Sequence, residues 1–133
     1  MVQKHEQIEL VQEKYQSRID DWKEYDNLLE FLDQYIVISP NDAINNSNEL
    51  NDKAKSLNDS IKPEILETPA FNARLNLLLN ETLRLYDMSS IPSIKAAEVN
   101  EQVTKILLAF SAINSKINTT LSQAELEGEI SEI

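Results

Sequence analysis

The 133-residue chain has no cysteine, one glycine and one histidine, and only 6% of its residues are aromatic. Without cysteine there is no disulfide, no thiol nucleophile and no cysteine metal site, and nothing here marks the redox compartment. A single glycine, Gly128, leaves no glycine-rich loop to cradle a phosphate. A Ser–His catalytic pair would have to use His5, close to the start of the sequence. Long hydrophobic runs are missing too. The richest stretch, Leu75 to Leu85, is interrupted by Asn76, Asn80, Glu81 and Arg84, far short of the ~18 consecutive apolar residues of a membrane span. Basic residues are scarce, and the net charge is −11. Nucleic acid is therefore a poor partner, because phosphate binding needs a basic surface, and anionic lipid surfaces are disfavoured for the same reason.

What is present is helix punctuation. Hydrophobic residues make up 41% of the chain, enough for one domain with a core. Pro40 follows Ser39, Pro69 follows Thr68, and Pro92 comes just after Ser89 and Ser90. Proline is tolerated in the first turn of a helix, and Ser or Thr before it can cap the free N–H groups. A first helix is expected over residues 4–38, from the stripe Ile8, Val11, Tyr15, Trp22, Tyr25, Leu29, Leu32 and Ile36. A second, thin and rich in asparagine, should run from Pro40 to near Ile61, where Pro63 stops it. After a connector with one turn at 64–66, a third should run from Pro69 to Asp87, with Phe71, Leu75, Leu78, Leu79, Leu85 and Tyr86 inward and Leu77 and Leu83 widening that face. The fourth should run from Pro92 to Leu126, with Ala96, Val99, Val103, Ile106, Phe110, Ile113, Ile117 and Ala124 in heptad spacing.

These lengths predict an all-α fold with no strands. The expected arrangement is an up-down-up-down four-helix bundle over 1–126, followed by an acidic tail over 127–133. The first and last helices, each about 35 residues or roughly 50 Å, would outreach the middle two. Their narrow-striped ends would form an antiparallel two-helix extension carrying both termini.

Candidate sites are few. His5 and Glu9, four apart on a helix, could hold a metal, but a solvated helix end explains them better. Asp20, Asp21, Glu24 and Asp26 flank the stripe and read as a solvated face. Asn41 to Asp52 lacks the central glycine and the alternation of a calcium loop. No metal or other cofactor is expected. Tyr15, Trp22, Tyr25, Phe31 and Tyr35 concentrate the aromatics on one element; they could line a partner or ligand surface, or simply pack the core. Arg74, one turn after Phe71, is expected either to lay its stem over the core and reach a carboxylate such as Glu67, or to stand in solvent.

Residues 63–75, Pro-Glu-Ile-Leu-Glu-Thr-Pro-Ala-Phe-Asn-Ala-Arg-Leu, resemble a stretch of small all-helical lipoproteins of Bacteroidetes-type bacteria. Phe110, Ile113, Asn114, Ile117 and Asn118 resemble that group's last helix. The resemblance covers about half the chain. It implies export, a cell-envelope location in preference to the cytoplasm, and a lipid anchor outside this sequence. It carries over no activity and no functional residue, and the lipobox cysteine is missing, so Met1 would mark a trimmed start. The expected function is a non-enzymatic interaction or scaffolding module with a protein partner or self-association. The rivals are a cytosolic or phage-encoded oligomer and a small apolar-ligand binder.

Overall fold

The computed structural model describes residues 2–5 and 8–130. Most of the chain is helical. The α-helices are α1 (Lys23–Asp33), α2 (Pro40–Asn45), α3 (Ser47–Asp59), α4 (Pro69–Met88) and α5 (Ala96–Leu126). Two short 3-10 helices occupy Glu13–Arg18 and Glu64–Leu66. Two strands of two residues each, β1 (Gln3–Lys4) and β2 (Val37–Ile38), pair antiparallel with Gln3 opposite Ile38 and Lys4 opposite Val37.

The expected helix starts hold at two of the three prolines. Ser39 accepts a hydrogen bond from the Asp42 amide at 3.1 Å and Thr68 from the Phe71 amide at 3.2 Å, each with proline in the first turn. Pro92 behaves differently. The Ile94 amide bonds the Ile91 carbonyl at 3.2 Å, so Pro92 occupies the second position of a turn, where its fixed φ suits the bend. Helix α5 begins at Ala96, after Lys95 in extended conformation. The second expected helix is broken at Asn46, which ends α2 and precedes α3, and Ser47 turns its hydroxyl back to the Ile44 carbonyl at 2.6 Å.

The first helix is the main correction. Of its described residues only Lys23–Asp33 are α-helical; α5 and α4 are the long helices, and strands are present. Ahead of α1, Ile8–Gln12 runs as non-helical chain along α5, and Glu13–Arg18 continues as a 3-10 helix. This strap runs parallel to α5. The Glu9 amide bonds Ser111 Oγ, the Gln12 amide bonds Asn118 Oδ1, and Lys14 and Tyr15 reach Glu125. From Ser111 to Glu125 is about 21 Å of helix at 1.5 Å per residue. Three extended steps to Gln12 and two 3-10 steps to Lys14 span roughly 14 Å, and the long Lys14 and Tyr15 side chains cover the rest. Five residues of α-helix would span only about 8 Å. The expected two-helix extension is therefore absent among the described residues, whose first and last elements lie apart. Gln3–Lys4 and His5 lie by Val37 and Thr104, whereas Leu126 is about 33 Å further along α5.

The core is continuous. Helix α3 packs on α1 and α4, and α4 packs on α5. Phe71, Leu75, Leu78, Thr82 and Leu85 form the buried face of α4. Tyr86, Leu77 and Leu83, expected inside or at the margin, are exposed. Thr82 takes the inner place, accepting from Asn51 Nδ2 at 3.1 Å and donating to the Leu79 carbonyl at 2.9 Å. Helix α5 is buried over a wide face that includes Gln102, Asn114 and Asn118, while Ala96 is exposed.

Gly128 does more than begin a tail. Its φ of 74° lets the Gly128 amide bond the Glu125 carbonyl and the Glu129 amide bond the Ala124 carbonyl, which closes α5 in a Schellman motif. Ile130 packs back on the core. The remaining three residues of the expected acidic tail lie outside the described residues.

Candidate functional site

The aromatic set is brought together as packing. Trp22 stacks on Tyr25 at 5.3 Å between ring centroids, and Tyr25 on Phe110 at 5.7 Å; Phe71 tilts against Trp22 at 6.1 Å. Tyr15, Trp22, Tyr25 and Tyr35 are all buried, and Phe31, which tilts against Tyr35, is half-buried. Their polar ends are satisfied inside the fold. Trp22 Nε1 donates to Ser60 Oγ at 2.8 Å, Tyr25 Oη to Asn114 Oδ1 at 2.5 Å, and Tyr35 Oη to the Ala43 carbonyl at 3.0 Å. Burial, reinforced by the Asp26 charge, pushes the Tyr25 phenol far above its ordinary value, outweighing the opposing pull of the Asn114 bond. Burial and then Glu49 do the same to Tyr35. Both hydroxyls therefore stay neutral donors. Of the five, Trp22 borders a cleft of about 300 Å³ with Ile19, Ile61 and Pro63, and Phe31 borders one of about 350 Å³ lined with Asn27, Glu30, Gln34, Glu49 and Lys53, with Lys53 Nζ 5.5 Å from the Phe31 ring centre. The rim of the Phe31 cleft is polar, which does not suit an apolar ligand.

The acidic cluster behaves as an ordinary charged surface. Asp20 and Asp21 are in the turn before α1, and Glu24 and Asp26 are in its first turns. Burial and the Asp20 charge raise the Asp26 carboxyl somewhat. Among the described residues no three His, Cys, Asp or Glu side chains are grouped to hold a metal ion. Arg74 is half-buried and donates to the Ala70 carbonyl at 2.9 Å, a bond within its own helix.

His5 lies somewhere quite different from the solvated helix end expected of it. The backbone around it is extended: the His5 amide donates to the Ile36 carbonyl at 2.6 Å, prolonging the β1–β2 pairing. Without a helix, the i, i+4 spacing to Glu9 has no geometric meaning. The imidazole is 6% exposed and its Nδ1 is 3.0 Å from Thr104 Oγ1. The Thr104 hydroxyl in turn lies 3.2 Å from the Asn100 carbonyl. A hydroxyl has one proton, and an amide carbonyl can only accept. With that proton given to Asn100, the network assigns the His5 proton to Nδ1. Nε2 is then a bare acceptor, buried and without a hydrogen-bond partner among the described residues. Burial lowers the pKa of the ring, in keeping with a neutral imidazole.

His5 lines a cavity of about 420 Å³ together with Gln3, Lys4, Thr104, Leu107, Leu108 and Ser111. Nothing in the amino-acid sequence distinguishes this histidine from a surface one. Its place depends on the strap lying along α5, and the only hint of that is Asn114 and Asn118, one turn apart beside Ile113 and Ile117.

No protein-family model, no curated protein and no solved structure matches the chain significantly.

Proposed function

We propose that the chain is a non-enzymatic helical interaction or scaffolding module that works through protein contact. One observation carries this reading. Leu79, Leu83 and Tyr86 fall in one row along α4, at four- and three-residue spacing, and Leu83 and Tyr86 are 43% and 40% exposed. An aromatic and a leucine side by side on an outer helix face are the kind of anchor that protein interfaces use. The finer architecture we propose is an up-down-up-down arrangement of α1, α2–α3, α4 and α5, which the short links between them favour. The resemblance of residues 63–75 to lipoproteins supports an exported, lipid-anchored setting over a cytoplasmic one. A cytosolic oligomer built on the same α4 row is the rival reading.

Placing a photo-crosslinking residue at Tyr86 tests this, with Asp52 as an exposed control on α3. We expect adducts from position 86 in cells, to a second copy or to another protein, and none from position 52. We also expect Leu83→Glu with Tyr86→Glu to leave the fold intact and to remove any self-association seen by sedimentation. The reading fails if position 86 gives no more adduct than position 52 and the wild type stays monomeric at its solubility limit. A third reading, a small apolar-ligand binder, is favoured by the cavity at His5 and not by the aromatic set.

A further inference from the structure

We propose that the cavity between β1 and α5 binds a small molecule with an apolar body and a single hydrogen-bond donor, of the phenol class, whose hydroxyl donates to His5 Nε2.

Three observations converge on this. The first is the network: Asn100 carbonyl, Thr104 hydroxyl and His5 Nδ1 lie in sequence at 3.2 and 3.0 Å, and with the Thr104 proton on the Asn100 carbonyl the ring proton sits on Nδ1 and Nε2 is the acceptor. The second is that Nε2 is buried and has no partner among the described residues. Buried polar atoms in folded chains nearly always find one, so an orphan acceptor on a residue that lines a cavity marks the place of a donor from outside. The third is the lining. Leu107 and Leu108 supply apolar surface, and Lys4 and Ser111 supply polar edges. A cavity of about 420 Å³ has room for a single aromatic ring. A carboxylate ligand would set an acceptor against an acceptor at Nε2 and is disfavoured there. This site is independent of the α4 row, so either proposal can fail without the other.

His5 is the only histidine, so the imidazole nitrogen resonances of the protein belong to it alone. The probes are phenol and anisole, which share a ring but differ in the donor. We expect the free protein to show the Nδ1–H tautomer. Phenol should move the Nε2 resonance saturably, together with the amides of Leu107, Leu108 and Ser111. Anisole should leave Nε2 unmoved and bind at least tenfold more weakly. His5→Phe should weaken phenol binding, read from the same amides, by tenfold or more. Leu108→Glu alters an exposed position and keeps His5, so it serves if the first variant does not fold; it should also weaken phenol tenfold or more. An Nε2–H tautomer in the free protein overturns the proposal. So does a phenol response that anisole matches, or no saturable response to phenol, or binding that survives Leu108→Glu unchanged.

Discussion

Helix α4 and the strap at Ile8–Gln12 solve the same problem with different partners. Each lays an apolar row against α5 and must satisfy a backbone that is losing water. In α4 the backbone bonds within its own helix, and Thr68 closes the first turn. In the strap, α5 supplies the partners from its side chains. Asn114 Nδ2 donates to the Glu9 carbonyl at 2.7 Å and Asn118 Nδ2 to the Leu10 carbonyl at 3.0 Å; Asn118 Oδ1 accepts from the Gln12 amide at 2.8 Å and Ser111 Oγ from the Glu9 amide at 3.0 Å. Buried backbone polar groups must be paired somewhere. A helix pairs them locally, so its order depends on its own residues. The strap pairs them at a distance, so its order depends on three side chains of another element. Stability should accordingly be uneven, global for α4 and local for the strap.

Asn114 is the sharpest place to break this contrast, because it serves the strap and the core at once. It is buried, holds the Glu9 carbonyl and accepts from Tyr25. Asn114→Ala leaves a buried phenol and the Glu9 carbonyl unpaired and opens a small cavity, at a cost of roughly 3 kcal/mol. Urea denaturation should show this as a lower midpoint for the whole molecule. A loss below about 1 kcal/mol would mean that water replaces the amide without penalty.

Asn118→Ala separates strap from body. It removes two hydrogen bonds from Leu10 and Gln12, worth roughly 1–3 kcal/mol together. Hydrogen exchange is the measurement. The Gln12 amide should exchange tenfold or more faster, while the amides of Leu75 and Leu78 in α4 slow or quicken only with global stability. Equal acceleration in both regions would show that the strap and α4 open as one unit.

On the α4 side of the comparison, Thr68→Ala removes the cap from the Phe71 amide and should cost about 1 kcal/mol. Hydrogen exchange at the Glu9 and Gln12 amides should change no more than that global loss requires. A larger response there would show that the first turn of α4 supports the strap.

The same two regions explain what was legible in the amino-acid sequence. Ser39–Pro40 and Thr68–Pro69 are local signals, and α2 and α4 begin where they stand. The row Ile8, Val11, Tyr15, Trp22 and Tyr25 is buried as its spacing implies. Burial is all that this spacing reports: Ile8 and Val11 reach the core from non-helical chain, Tyr15 from a 3-10 helix and Tyr25 from α1. Whether the strap is helical depends on its backbone partners, and those are Ser111, Asn114 and Asn118, about a hundred residues away. The five aromatic candidates were visible as a concentration of rings, and their polar ends turned inward to Ser60, Asn114 and Ala43. The His5 cavity was not legible, because it exists only once the extended chain is in place.

Arg74 carries the smallest expected effect and tests how self-sufficient α4 is. It follows Phe71 on a helix whose inner face is fully apolar at that level, so a stem lying on the core was one expectation. The structure gives it half-burial and a guanidinium bond to the Ala70 carbonyl, one turn back. The Ala70 amide and carbonyl are at the start of the helix, where a cation gains nothing from the helix dipole. The bond is exposed to solvent and competes with water. Truncation therefore loses only part of the packing of the stem, and Arg74→Ala should lower stability by about 0.5 kcal/mol. Arg74→Met keeps the stem and should match the wild type within the error of urea denaturation. If Arg74→Ala costs 1–2 kcal/mol while Arg74→Met costs nothing, the stem is a genuine part of the α4 core, and the helix depends on its margin as well as its inner row.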